Sequence, residues 1–199
     1  TCERVLGDCI ARRPELRSRV WIQSKCGIRK DADFTYYDFS KEHILASVDG
    51  ILSRLKVDHL DSLLLHRPDA LMEPDEIAEA FTALHTAGKV LDFGVSNCNP
   101  AQLALLSAAL PFPIAANQVQ LSCAFTPALD AGFQVNMMWD GSVMREGGML
   151  EYCRLPGIAV QSWSSLQYGF FEGTFLGSPK YPELNAVLEA IQADSGEIE

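Results

Sequence analysis

Between residues 60 and 69 the chain reads LDSLLLHRPD. The apolar run is too short for an ordinary helix, and polar and turn-forming residues bound it on both sides. That pattern predicts a strand buried on both faces, the kind a parallel sheet requires. His66 falls at the carboxyl end of this strand. In barrels and open α/β sheets that end carries the chemistry. Two readings of His66 stay open here. It is a hydrogen-bond donor or proton shuttle for a substrate oxygen, or a core histidine bonded to neighbouring backbone.

The rest of the chain repeats the theme. Short β-rich runs predict strands at 20–24, 61–66, 91–95, 114–120 and 158–163. Helical patterns alternate with them, at 1–13, 40–55, 74–88, 101–109, 147–155 and 182–193. The 40–55 segment is the most regular, with Ile44, Leu45, Val48, Ile51, Leu52 and Leu55 at three-four spacing behind a Ser40 cap. Segments 29–39, 121–141 and 167–181 lack periodicity and read as loops.

Strands alternating with helices give a parallel sheet, either doubly wound or part of a (β/α)8 barrel. No GxGxxG follows a strand and no GxxxxGK[ST] occurs, so nucleotide-binding versions of the open sheet lose support. Nearly every strand ends in polar, reactive side chains: Lys25, His66, Ser96 with Asn97, Gln118 with Gln120, and Trp163 with Ser164. A barrel collects such ends on one face, so an incomplete (β/α)8 TIM barrel is expected.

Composition narrows the partners. The chain has 199 residues, 48% of them apolar, enough for the core of one domain or most of a larger one. A net charge of −10 without a basic cluster argues against nucleic acid. The lack of a run of about 18 apolar residues argues against a membrane span. The 6 cysteines are widely spaced and form no CxxC, and with 4 histidines no zinc-ligand pattern arises. Such scattered cysteines suit a reducing compartment, the cytoplasm, without structural disulfides. There is no signal-peptide pattern. Thr1 opens directly on a helical pattern (Val5, Leu6, Ile10) and a polar DSGEIE tail ends the chain, so the sequence reads as the middle of a domain.

Lys25, set at the mouth of a barrel, is a candidate acid, base or Schiff-base former, or else an ordinary lysine reaching solvent. Ser96, Asn97 and Gln118 offer hydroxyl and amide groups that suit a carboxamide ligand, or serve only as loop and cap chemistry. Trp163 is a stacking platform or plain core.

Taken in order and at these separations, Lys25 after its strand, LLLHRPD, FGVSN, NQVQLS and IAVQSWSSLQYG resemble the aldo-keto reductase family. The LQYGFFEGTFLG loop resembles the bacterial branch. The resemblance covers residues 1–199 as one partial barrel domain, strands three to seven of eight. It implies reduction of a small carbonyl substrate by hydride from NADP(H), with NAD(H) also open. Lys25 and His66 are then the catalytic lysine and histidine. Ser96, Asn97 and Gln118 match the positions that hold the nicotinamide carboxamide. Trp163 matches the position that stacks on its ring. Ser164, Leu166 and the loop after them match the segment that straps the pyrophosphate.

The same resemblance implies a tyrosine proton donor and an aspartate beside the lysine, both from the first two strands, which no segment here matches. Tyr36 and Tyr37 lie after Lys25 and do not fill that place. The eighth strand and the basic residues that grip a 2′-phosphate are unmatched as well. Little turnover is therefore expected of these 199 residues alone. Phe125, Met137 and Trp139 are candidates for the substrate pocket, and no oligomeric state follows. The alternatives are a barrel lyase forming a Schiff base on Lys25 and a non-catalytic nicotinamide-binding barrel.

Overall fold

A computed structural model describes residues 2–133, 138, 148–169 and 172–195. Helix α1 (Cys2–Arg12) leads through a 3-10 segment, Pro14–Arg19, into strand β1 (Gln23–Cys26). Strands β2 (Ile28–Lys30) and β3 (Thr35–Tyr37) come next, then α2 (Lys41–Leu55), β4 (Leu60–Leu65), α3 (Pro74–Thr86) and β5 (Val90–Ser96). The remainder runs α4 (Pro100–Ala109), β6 (Ala116–Gln120), α5 (Pro127–Phe133), α6 (Met149–Arg154), β7 (Ala159–Trp163) and α7 (Pro182–Ser195). Two compact units result: Thr1–Gln118 with Glu146–Gln161, and Val119–Arg145 with Ser162–Glu199.

Five strands form one sheet in the order β1-β4-β5-β6-β7. The pairings β1/β4, β4/β5 and β5/β6 are parallel. Helices α2, α3 and α4 make the crossovers between them, and each has a local reason to start where it does. Ser40 Oγ accepts the His43 amide at 3.3 Å ahead of α2. Pro74 opens α3 with Asp75 and Glu76 in its first turn. Asn99 and Gln102 form a reciprocal capping box on α4. At the far end of α3, Gly88 takes a φ of 67° and the Lys89 amide reaches back to Leu84 O at 3.0 Å, stopping the helix.

The apolar core lies between the sheet and these helices. Leu63, Leu65, Phe93 and Val95 point that way and are almost wholly buried. Opposite them stand Ile44, Val48 and Ile51 of α2, Ile77, Phe81 and Leu84 of α3, and Leu103 and Leu106 of α4. Phe81 stacks on Phe93 with ring centroids 4.1 Å apart. The other face is different. Strand alternation turns Gln23, Lys25, Ser62, Leu64 and Gln118 away from the helices. There, Gln23 Nε2 on β1 donates to Gln161 Oε1 on β7 at 2.9 Å, although these strands stand at opposite ends of the sheet order. The sheet is therefore rolled into part of a (β/α)8 barrel, with the polar face inward.

Three expectations need correction. The first strand begins three residues later than expected: Val20 and Trp21 are 42% and 64% exposed, and pairing runs from Gln23 to Cys26. Hydrogen-bonding partners decided its position, not β propensity. Segment 29–39 is an antiparallel hairpin of β2 and β3, closed by the Asp31 amide on Phe34 O at 2.9 Å. Its aperiodic look hid a turn braced by side chains, with Arg29 over the Tyr36 ring at 5.5 Å and bonded to Asp38 at 2.8 Å. Segment 121–141 holds α5 over residues 127–133. On α3, His85 is exposed and lies against Phe112.

In the second unit, Ser122 Oγ donates to Gln167 O at 2.5 Å, and Ser162 Oγ donates to Leu121 O. Phe175 is 1% exposed and anchors the loop before α7. Asn185 Nδ2 donates to Phe175 O and Tyr181 O at 2.9 and 2.8 Å. Among the described residues no helix is long and apolar enough to cross a membrane.

Candidate active site

The registers of the parallel strands define rows on the inner face. Lys25 pairs with Leu64, Leu64 with Gly94, and Gly94 with Ala116. Residues two further on lie in the next row, toward the carboxyl ends. Ser96 pairs with Gln118, and one step beyond the Leu65–Val95 pair sets His66 beside Ser96. His66 sits one residue past β4, its amide donating to Cys26 O at 3.0 Å. Lys25, His66, Ser96 and Gln118 thus share one face at one end of the sheet. Lys25 lies inside its strand rather than after it.

Small residues give this corner its form. Gly27 follows at once, with a φ of 99°, and a Cβ there would overlap the Phe39 ring. Only glycine takes that backbone turn without strain. At Gly94, a Cβ would lie 2.6 Å from Ala116 O, so β5 and β6 approach closely there, just below Ser96.

The electrostatics follow from burial and like charge. Lys25 and His66 are both half-buried. The Lys25 ammonium is disfavoured by burial and then by the Arg67 charge, so its pKa falls. The His66 pKa falls for the same cause first, then through the charges of Lys25 and Arg67. A neutral imidazole with an N–H to give, beside two cationic side chains, is suited to an oxygen that gains negative charge.

Ser96 and Asn97 are tightly set. The Ser96 hydroxyl donates to Gln118 O at 3.0 Å and accepts from Asn97 Nδ2 at 2.9 Å. The Asn97 amide donates to the same carbonyl at 2.9 Å, with the residue at a φ of 60°, a left-handed conformation that asparagine tolerates. Behind them, fully buried Asn117 donates to Cys98 O at 2.8 Å and accepts the Cys98 amide at 3.3 Å. That pair fastens the turn after β5 to β6. The Gln118 side chain donates to Gln161 Oε1 at 3.3 Å.

Trp163, Ser164 and Leu166 belong to the second unit. Trp163 closes β7 and is half-buried. Ser164 has a φ of 53°, and its carbonyl accepts the Gln167 amide at 2.9 Å. Leu166 O accepts from the Phe175 amide at 3.0 Å and from Thr174 Oγ1 at 2.9 Å, which leaves the Leu166 side chain 53% exposed. The three therefore stand on a pinned turn. Phe125 is half-buried in this unit, with its amide on Ser122 O at 3.2 Å. Met137 and Trp139 lie outside the described residues.

Sequence reasoning missed three contributors. Arg67 adds its charge to both Lys25 and His66, and the signal was its place directly after the strand. Gln23 and Gln161 line the inner face, and strand alternation, two residues before Lys25 and Trp163, would have found them. Tyr36 and Tyr37 stand on β3 of the hairpin.

Comparison with known proteins settles the class. The model of the aldo/keto reductase family matches residues 1–195, so the chain belongs to that family. It is 40% identical over 198 residues to oxidoreductase YdhF of Escherichia coli (strain K12), covering 98% of this chain and 61% of that protein. It is 32% identical over 185 residues to a 6-dehydroglucose reductase of Agrobacterium fabrum, covering 89% of this chain and 57% of the relative. A crystal structure of a thermostable aldo-keto reductase in complex with the inhibitor epalrestat matches with a TM-score of 0.65 at 21% identity, over 98% of this chain and 59% of the other. The chain thus spans about three fifths of the length of these relatives.

Proposed function

We propose that residues 1–199 form a single partial barrel domain of a cytoplasmic, bacterial-type aldo-keto reductase. The whole enzyme passes hydride between NADP(H) and a small carbonyl compound. The observation that carries this reading is the inner-face corner in which Lys25 and His66 adjoin Ser96 and Gln118 by strand register.

The chain's groups suit a nicotinamide cofactor. Ser96, Asn97 and Gln118 gather hydroxyl and amide groups at adjacent strand ends, as a carboxamide needs. Buried Gln120 Nε2 and Gln167 Oε1 have no hydrogen-bond partner among the described residues, in segments assigned to the cofactor. In this reading Ser96, Asn97 and Gln118 hold the carboxamide, Trp163 covers the ring, and Ser164 and Leu166 line the pyrophosphate. When bound, the cofactor supplies the hydride.

His66 donates a hydrogen bond to the carbonyl oxygen, orienting it and stabilising its developing charge. The positive charge of Lys25 lowers the pKa of the tyrosine proton donor that the family resemblance implies, which no residue here matches. These 199 residues alone therefore turn over little, since a proton donor contributes on the order of 10²–10⁴ in rate.

Oxidation of NADPH with a generic aldehyde, or with a sugar-derived carbonyl suggested by the Agrobacterium relative's name, tests this. Joined to a relative's first two strands and its eighth, the chain gains activity that His66→Ala removes. Parallel assays with NADH test the cofactor choice. Full activity of the 199 residues alone overturns the partial-barrel reading, and an inactive restored barrel overturns the reductase reading. The lowered pKa of Lys25 also fits a Schiff-base lyase. Borohydride trapping of a carbonyl on Lys25 distinguishes that reading.

A further inference from the structure

Five side chains cross the inner face in an unbroken line. Trp21 Nε1 donates to Ser62 Oγ at 3.1 Å. Ser62 Oγ donates to Gln23 Oε1 at 2.9 Å. Gln23 and Gln161 bond reciprocally, with Gln23 Nε2 on Gln161 Oε1 at 2.9 Å and Gln161 Nε2 on Gln23 Oε1 at 3.2 Å. Gln118 Nε2 ends the line on Gln161 Oε1 at 3.3 Å. The line runs from the strand β1 approach through β4 and back to β1, then to β7 and β6.

An amide side chain can be turned end for end with little change of shape, so something must choose its direction. An indole N–H has only a proton to give. Ser62 Oγ must therefore accept from Trp21, and in the structure its single hydrogen goes onward to Gln23. The Gln23 atom that receives it must be oxygen. With Gln23 Oε1 so fixed, its NH2 faces Gln161, which must answer with oxygen. That oxygen in turn requires NH2 from Gln118. Reversing any one amide sets donor against donor or acceptor against acceptor. Ser62 is 3% exposed, so a mismatched pair there would have no water to correct it.

We infer that the line anchored at Trp21 and Ser62, through Gln23 and Gln161, fixes the Gln118 amide with its NH2 inward and its oxygen as the free end, an acceptor for an N–H donor on the ligand. This rests on the proposed reading of Gln118 as a carboxamide contact. It makes Gln161, Gln23 and Ser62 positioning residues, and it predicts which half of a primary carboxamide Gln118 meets: the NH2, not the C=O.

The test has two arms on the 199-residue chain. The first is proton–nitrogen NMR of the glutamine side-chain amides, with Gln118 assigned from the signals that Gln118→Leu removes. Ser62→Ala cuts the line three links from Gln118, and the expected result is that Gln118, Gln161 and Gln23 side-chain signals all shift. Ser62→Thr, which keeps the hydroxyl, leaves them in place. Trp21→Phe is the variant safest for folding, because the residue is 64% exposed, and it shifts the same signals in the same direction. Gln118 signals that stay put in both Ser62→Ala and Trp21→Phe overturn the inference, whether or not cofactor binds.

The second arm compares binding of NADP+ with its 3-acetylpyridine analogue, which replaces the carboxamide NH2 by methyl. The native chain prefers the carboxamide by roughly fivefold, the worth of one hydrogen bond. Gln161→Met and Ser62→Ala bring that ratio toward one, while binding of 2′-phospho-ADP-ribose, which lacks nicotinamide, is unchanged. If Gln118→Leu abolishes the preference and Ser62→Ala does not, the line fails and the carboxamide reading stands. If Gln118→Leu leaves the preference intact, the carboxamide reading fails and this inference with it.

Discussion

Leu63 and Leu65 leave β4 toward the helices, while Ser62, Leu64 and His66 leave it toward the inside of the rolled sheet. The same contrast holds on β5, where Phe93 and Val95 face outward and Asp92, Gly94 and Ser96 inward. Outward residues are almost fully buried and apolar. Inward ones form hydrogen-bonded amides, hydroxyls and two half-buried basic groups. One face holds the fold by the hydrophobic effect. The other face is held by direction-dependent bonds that leave donors and acceptors aimed. Each face has exceptions, with Leu60 and Val90 buried on the inward side and Leu91 exposed on the outward side. Leu64 is buried inward between Lys25 and Gly94, and Asn117 is buried outward, where it bonds the Cys98 backbone twice.

Phe93→Ala should give the largest effect, because the ring is 1% exposed and stacked on Phe81. A loss of about 3–5 kcal/mol is expected from such a truncation, read from the urea midpoint at constant m. Gln161→Met, on the inner face, should cost under about 1 kcal/mol, since it replaces a part-buried amide with a side chain of similar length. Equal losses at the two positions would erase the contrast between the faces. Asn117→Ala falls between, at about 1–3 kcal/mol, because it strands a buried backbone N–H and C=O at Cys98. Amide hydrogen exchange at Cys98 and Asn97 should speed up more than at Phe93. Uniform acceleration along β5 would mean that Asn117 supports the strand and not its turn.

The outer face was legible in the sequence because its signal is repetition. Leu60–Leu65 and Lys41–Leu55 announce themselves by apolar spacing, and the structure places both within a residue of expectation. β1 was misplaced by three residues because Val20 and Trp21 have strand-forming side chains yet stay exposed, while Lys25 and Cys26 pair only because Leu64 and Leu65 stand beside them. Propensity is local, and pairing is not. Lys25, His66, Ser96 and Gln118 were found because strand ends are readable, but their common face came from the register. Arg67, Gln23 and Gln161 were missed for the same reason: a glutamine 138 residues from its partner gives no local sign of it. The family resemblance reached the site residues by a separate route, through motif order along the chain.

The smallest effect concerns the two basic groups on the inner face. Burial and the charges of Lys25 and Arg67 hold the pKa of His66 below 6.5. The unfolded chain therefore takes a proton at a higher pH than the folded one. Above 6.5 neither state binds it, and the stability this position allows is fully present. As pH falls below 6.5, the unfolded state gains protons first and stability declines, until the pH passes under the folded value and the loss is complete. His66→Gln should flatten the stability–pH curve as pH falls below 6.5. Because His66 is only half-buried, solvent screening keeps the difference small. Lys25→Met gives a sharper reading, since it removes one of the charges that act on the imidazole. An NMR titration of His66 in that variant should show its pKa moving up, toward 6.5. An unmoved pKa would mean that Lys25 and His66 do not sense each other across the row, and the inner face would then be two separate polar sites.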